Sequence, residues 1–134
     1  MPSAAESEPT VRFDLLKLAP RAARTRRRAS RVSVVVRRPK QPEFELALDQ
    51  DSTLIGRDPS CDIVLDDDGI SRRHARIDLL DTGYHELVDL SSTNGTLVAG
   101  RPLQRMILLD GDRFAIGDTR FTFRSSPIDD GGSR

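Results

Sequence analysis

Tryptophan is absent from the 134 residues, and cysteine, tyrosine, methionine and histidine are nearly so, with one, one, two and two copies. The single cysteine, Cys61, excludes an internal disulfide and points to a reducing compartment. It stands beside Asp62 and Ile63 in a strand-like run, where a small core residue is expected rather than a nucleophile. Lysine is as rare: Lys17 and Lys40 are the exceptions in an otherwise all-arginine set of 21 basic residues. That bias suits a GC-rich, bacterial genome. No apolar run approaches the ~20 residues of a membrane-spanning helix. The N-terminus lacks a basic start joined to an apolar core and a cleavage site. A transmembrane segment and a secretory signal are therefore not expected, and the chain reads as cytoplasmic.

Catalytic signatures are missing as well. There is no nucleophile elbow, no phosphate-binding glycine loop and no metal-ligand spacing of His and Cys. His74 and His85 are isolated from each other and from acidic partners. Asp66, Asp67 and Asp68 lack the alternating oxygens and distant Glu of a calcium loop, and read as a solvated acidic turn. The expectation is a protein that is not an enzyme and holds no metal or cofactor.

What is present divides the chain in two. Residues 1–31 carry eight Lys/Arg against three acids, a balance of +5, while residues 32–134 carry 13 against 18, a balance of −5. The length suits one domain with a real core. In the head, residues 1–10 are small, polar and acidic and are expected to be disordered. Val11 to Ala19 has the apolar residues Phe13, Leu15, Leu16 and Leu18 of a short helix stopped at Pro20. Nine residues are marginal as an isolated helix, so this segment needs a partner surface. Arg21 to Arg31 is an Arg/Ala run with the look of a linker or tail.

From residue 32 the period becomes that of strands. Val32 to Val36 is β-branched, and Phe44, Leu46 and Leu48 alternate with Glu45 and Ala47. Short apolar runs continue at roughly ten-residue intervals to Phe123. Turn formers such as Asp58-Pro59, Thr82-Gly83, Asn94-Gly95, Asp110-Gly111 and Gly117-Asp118 separate them. The pattern predicts an all-β sandwich of two sheets and about eleven short, mostly antiparallel strands over residues 32–124, with a flexible tail at 125–134.

Between these strands lie three loops suited to an anion: Gly56-Arg57, then Ser71-Arg72-Arg73-His74, then Ser91-Ser92-Thr93-Asn94-Gly95-Thr96. Their order and spacing resemble the forkhead-associated (FHA) domain family, whose pattern runs Gly-Arg, Ser-Arg-x-His, Ser-x-Asn-Gly-Thr. The likeness continues through Asp110-Gly111-Asp112, Ile116-Gly117 and Phe121-Thr122-Phe123. It implies a phosphothreonine-peptide-binding signalling module.

By this resemblance, Arg57 supplies a planar fork for phosphate oxygens. Ser71 offers its hydroxyl and backbone N–H, Thr93 adds a phosphate contact, and Asn94 bonds the peptide main chain. Arg72 reads residues after the phosphothreonine. Gly56 and Gly95 serve backbone shape, Ser92 shapes its loop, and His74 braces the loops rather than acting as a base. The bland reading of Asn94-Gly95 is a two-residue hairpin turn. One departure stands out: where many family members have a second Asn-Gly, this chain has Ala99-Gly100.

The implied partner is a phosphothreonine-containing protein or peptide made by an upstream Ser/Thr kinase. Thr10, after Glu6 and Glu8 and before Val11, is a candidate phosphorylation site in an accessible segment, and the chain's own phosphorylated head is thus a second candidate ligand. Two alternatives belong to other classes. One is a phosphate-independent protein-interaction domain. The other is a nucleic-acid or membrane-surface binder acting through the Arg-rich head, against which stands the lack of stacking aromatics other than Phe13.

Overall fold

A computed structural model describes residues 30–127. The helix expected over Val11 to Ala19, the rest of the basic head with Thr10, and the last seven residues of the tail lie outside the described residues.

Eleven strands form two sheets. They are β1 (Ser30–Arg37), β2 (Phe44–Ala47), β3 (Ser52–Gly56), β4 (Ile63–Val64), β5 (Ala75–Leu79), β6 (His85–Asp89), β7 (Thr96–Val98), β8 (Arg101–Leu103), β9 (Arg105–Leu108), β10 (Arg113–Ile116) and β11 (Thr119–Pro127). The six-stranded sheet has the order β2-β1-β11-β10-β7-β8, and the five-stranded sheet β4-β3-β5-β6-β9. All neighbours are antiparallel except β3 and β4. The strands begin two residues before and end three residues after the limits 32 and 124 expected from the sequence.

Alternation along the strands explains the two layers. Val34 and Val36 point between the sheets and are fully buried, as are Ile55, Leu87 and Ile116. Phe114 stacks on Phe121 across β10 and β11 with ring centroids 4.6 Å apart. Each such side chain contributes about 1.5–3 kcal/mol on leaving water. The intervening residues Val35, Thr122 and Ala115 stay partly exposed on the outer face.

One strand, β8, has no counterpart among the apolar runs, because Arg101-Pro102-Leu103 is too short and too polar to show alternation. Proline gives no ladder donor, which a sheet edge tolerates, and β8 is an edge. Register then sets the functional end: Ile55 lies opposite Ala75, and Ala75 opposite Asp89. The chain leaving β3, entering β5 and leaving β6 therefore emerges at one end of the sandwich.

Candidate functional site

The three loops at that end are the three motif segments, and hydrogen bonds lock them together. The Arg57 N–H donates to the Ser71 carbonyl at 3.0 Å, and the Asp58 N–H to the Arg72 carbonyl at 3.1 Å. Gly56 makes this approach possible: a Cβ there would lie 2.1 Å from the Arg72 carbonyl oxygen. Only glycine fits. The third segment closes on the second where the Thr93 N–H donates to Ser71 Oγ at 3.0 Å, and Asn94 Nδ2 to the Gly69 carbonyl at 2.7 Å.

His74 is fully buried beneath these contacts. Its Nδ1 accepts the Ser71 N–H at 3.1 Å, while Nε2 lies 2.9 Å from the Gly95 carbonyl. An Nδ1 that accepts leaves the proton on Nε2, which donates to Gly95, so the bonding fixes a neutral tautomer. Neither ring nitrogen addresses the Ser71 hydroxyl, and a serine–histidine nucleophile pair is not assembled. The imidazole is a brace between two loops.

A carboxylate supplies the other brace. Asp89, half-buried at the end of β6, accepts the Ser92 hydroxyl at 2.6 Å and the Thr96 hydroxyl at 2.7 Å. It also accepts the Ser92 N–H at 3.0 Å. Ser92 Oγ in turn accepts the Gly95 N–H at 2.9 Å. Burial pushes the Asp89 carboxyl up, but the bonds from Ser92 and Thr96 outweigh it and hold the group below its ordinary value. Asp89 and Thr96 had no role in the sequence reading. The usable signal was an Asp three residues before a loop Ser, the spacing at which a side chain caps backbone N–H groups. At Asp58, the Ser60 hydroxyl and N–H likewise hold the carboxyl below its usual value. The Cys61 thiol is pushed up by burial and donates to the Arg72 carbonyl, the environment of a packed thiol rather than a thiolate.

On the ligand side, Arg57 is half-buried, and its Nε donates to the Ile70 carbonyl at 2.9 Å. The bond fixes the guanidinium plane, and the two terminal nitrogens make no bond among the described residues. Arg72, Thr93 and Asn94 are exposed, and Ser71 is half-buried. All five expected ligand residues therefore sit on the converging loops.

One detail differs from the expectation. The Ser71 N–H is committed to His74, which leaves the hydroxyl as this residue's donor; its oxygen already accepts from Thr93, so the proton points elsewhere. The Asn94 amide nitrogen gives one N–H to Gly69, which leaves its second N–H and its carbonyl oxygen for a ligand. Nor is Asn94-Gly95 a hairpin turn. It joins β6 and β7, which belong to different sheets, and of the pair only Gly95 has a positive φ, at 89°. The two-residue hairpin is instead Ala99-Gly100, between β7 and β8, with φ of 52° and 79°.

Among the described residues no group of three or more His, Cys, Asp or Glu is placed to hold a metal, and no helix is long and apolar enough to cross a membrane. One anchored arginine fork on loops that also carry the Ser71 and Thr93 hydroxyls is an arrangement chemically suited to an anion.

Comparison with known proteins places this geometry in a family. A family model described as the FHA domain matches residues 53–117. The chain is 42% identical over 101 residues to the glycogen accumulation regulator GarA of Mycolicibacterium smegmatis, covering 75% of this chain and 63% of that protein. It is 38% identical over 96 residues to the oxoglutarate dehydrogenase inhibitor of Corynebacterium glutamicum, covering 72% and 66%. The chain thus spans slightly less than two-thirds of the curated relatives it matches. A solved FHA domain studied for its phosphothreonine-dependent interactions superposes with a TM-score of 0.62 at 36% identity, covering 71% of this chain and 98% of that one. With the loops, the two-sheet topology and these likenesses in agreement, the chain belongs to the FHA domain family.

Proposed function

We propose that the chain is a phosphothreonine-peptide-binding module that recruits partners phosphorylated by a Ser/Thr kinase, working in the cytoplasm by binding rather than by catalysis. The observation that carries this reading is the anchored Arg57. Its Nε is held by the carbonyl of Ile70, the residue before Ser71, and the Ser71 hydroxyl in turn accepts the Thr93 N–H, which ties the three motif loops to one another as one cradle. Phosphothreonine brings close to two negative charges and three acceptor oxygens, which a planar fork plus hydroxyl donors match. Three or four charge-assisted bonds at about 1.5–3 kcal/mol each, less several kcal/mol of lost ligand freedom, leave roughly micromolar affinity.

The names of the similar proteins, a regulator and an enzyme inhibitor, agree with a switch that acts by occupying a partner. Thr10 supplies a ligand within the same chain. Phosphorylated, it reaches the cradle on a tether of about 20 residues and competes at a local concentration on the order of millimolar.

Calorimetry with one peptide in phosphothreonine, phosphoserine and unphosphorylated forms, at two salt concentrations, tests the site. Saturable binding of the phosphothreonine form alone, or most tightly, is expected; equal affinity for the unphosphorylated form refutes the reading. Thr10-phosphorylated chain should bind the external peptide more weakly than Thr10→Ala treated with the same kinase. Equal affinities would remove the internal ligand and leave the cradle intact.

A further inference from the structure

On the solvent side of the six-stranded sheet, register sets out a surface that the candidate cradle does not use. Across one row stand Arg37, Arg120, Ala115, Leu97 and Pro102. The next row carries Glu45, Val35, Thr122 and Arg113. Leu97, Ala115 and Thr122 line a groove of about 520 Å³, whose charged lining is three arginines, Arg37, Arg113 and Arg120, against one acid, Asp118. Arg31 and Arg124 extend the positive charge along β1 and β11.

The charges on this face are arranged for something outside it. Arg37 and Arg120 are direct cross-strand partners, a placement of like charges that destabilises a sheet. Arg37 has Glu43 at 3.4 Å. The side chains of Arg31, Arg113, Arg120 and Arg124 make no hydrogen bond or ion pair among the described residues. Glu45, the one acid in these rows, accepts the Ser33 hydroxyl. On the opposite sheet like charges also meet, Asp78 opposite Glu86, but there each has a counter-charge: Arg76 pairs with Asp78 at 2.8 Å and Arg105 with Glu86 at 3.6 Å. A sequence that neutralises one outer face and leaves arginines opposed on the other accepts a local cost, which is the mark of a binding surface.

We propose that this face docks an acidic, unphosphorylated segment of a partner protein. Its carboxylates sit among Arg37, Arg113 and Arg120, and an apolar side chain enters the groove over Leu97 and Ala115. Guanidinium forks match carboxylates bidentately, and the groove has the volume of a ligand site. A nucleic acid fits less well. Of the aromatics of these strands, Phe114, Phe121 and Phe123 are buried, and Phe44 packs against the core with Arg38 over its ring, so none offers a stacking platform. The chain's own head fits less well too, since residues 1–31 carry a balance of +5. The groove also runs up to Gly117, whose added Cβ would lie 3.4 Å from Ile70, the residue before Ser71. One partner can therefore span this face and the cradle, although docking here needs no phosphate.

The test uses the full ¹⁵N-labelled chain and a synthetic peptide alternating Glu with Leu and Phe. Saturable amide shifts are expected at Val35, Leu97, Ala115 and Thr122, and not at Arg57, Ser71 or Thr93. The Lys-for-Glu peptide should give none. Arg113→Glu with Arg120→Glu should weaken the acidic peptide roughly tenfold, each exposed pair being worth a few-fold, while thermal melting shows the fold retained. Should the double variant fail to fold, Arg113→Gln alone, with a few-fold loss, is the measure. Shifts confined to the cradle loops, no shifts at all, or an unchanged affinity in the variants overturn the proposal. So does tighter binding of oligothymidylate or anionic lipid vesicles to the same amides.

Discussion

Arginines occupy two places in this sandwich under opposite conditions. Arg57 is half-buried, its Nε is held by a carbonyl, and its backbone is locked to the next loop. Arg113, Arg120 and Arg124 are exposed on a sheet face and held by nothing among the described residues. A held fork has lost its rotamer freedom before the ligand arrives, so the full strength of its charge-assisted bonds goes into affinity and geometry. An unheld one spends part of each bond on its own ordering and is screened by salt. The first kind of site discriminates; the second adheres. The loops should therefore respond sharply to single substitutions and the sheet face only to several.

Arg57→Ala is the sharpest way to break that contrast. Two charge-assisted bonds at about 1.5–3 kcal/mol each vanish, so phosphopeptide affinity should fall at least a hundredfold. Stability should change little, because the Arg57 backbone bonds remain and the side chain is not part of the core. Calorimetry reads the affinity and thermal melting the fold. Near-wild-type affinity in a folded variant would show that Arg57 is not the phosphate ligand.

His74→Gln probes the support beneath the cradle. Glutamine is flexible and cannot accept from Ser71 N–H and donate to the Gly95 carbonyl across the same span, so at least one buried group is orphaned. The loss should be about 1–3 kcal/mol of stability, with ligand affinity reduced as a consequence. Urea melting checks the first effect and calorimetry the second. A variant as stable as the parent would mean that the imidazole is not the brace.

A pH titration reaches the second brace. The folded-state bonds from Ser92 and Thr96 hold the Asp89 carboxyl below its ordinary value of 3.8. The unfolded chain then takes up the proton more readily, and acid favours unfolding. The contribution is complete above the ordinary value and lost as the pH falls through it towards the depressed one. Chemical denaturation between pH 6 and pH 3 should show stability falling with acid, and Asp89→Asn should flatten part of that slope. An unchanged slope in the variant would place the acid sensitivity elsewhere.

These tests bear on residues of unequal legibility. Strands with a buried face show in the sequence because alternation is a property of single strands: Phe44, Leu46 and Leu48, or Phe121 and Phe123, declare which side faces in. β8 does not show, since an edge strand of three residues with a proline has no such alternation. Arg57, Ser71, Thr93 and Asn94 are legible as a set through the spacing of the three loop motifs, and they converge as expected on one end. Which atoms remain for a ligand is not legible, because it depends on bonds between loops far apart in the chain. The Ser71 N–H goes to His74, and one of the two Asn94 amide hydrogens to Gly69. Asp89 escaped for the same reason: its role lies in the hydroxyls that fold back onto it.

The smallest effect concerns Ala99, where the backbone bears a cost. Ala99 and Gly100 form the two-residue turn between β7 and β8, and both have positive φ. Glycine takes that conformation freely, whereas alanine pays about 1–2 kcal/mol for its Cβ, and asparagine is among the residues that bear it best. Ala99→Asn should therefore stabilise the domain, by at most about 1 kcal/mol, raising the melting temperature by several degrees. The turn sits at the groove on the sheet face, not among the cradle loops. If stability alone is relieved, phosphopeptide affinity stays within twofold of the parent. If the new amide also bonds the peptide, affinity rises several-fold and the cradle extends to the β7–β8 turn. A variant less stable than the parent would contradict the strain at Ala99, since nothing lies within 4 Å of a Cβ at the neighbouring Gly100 to explain it by crowding of that turn.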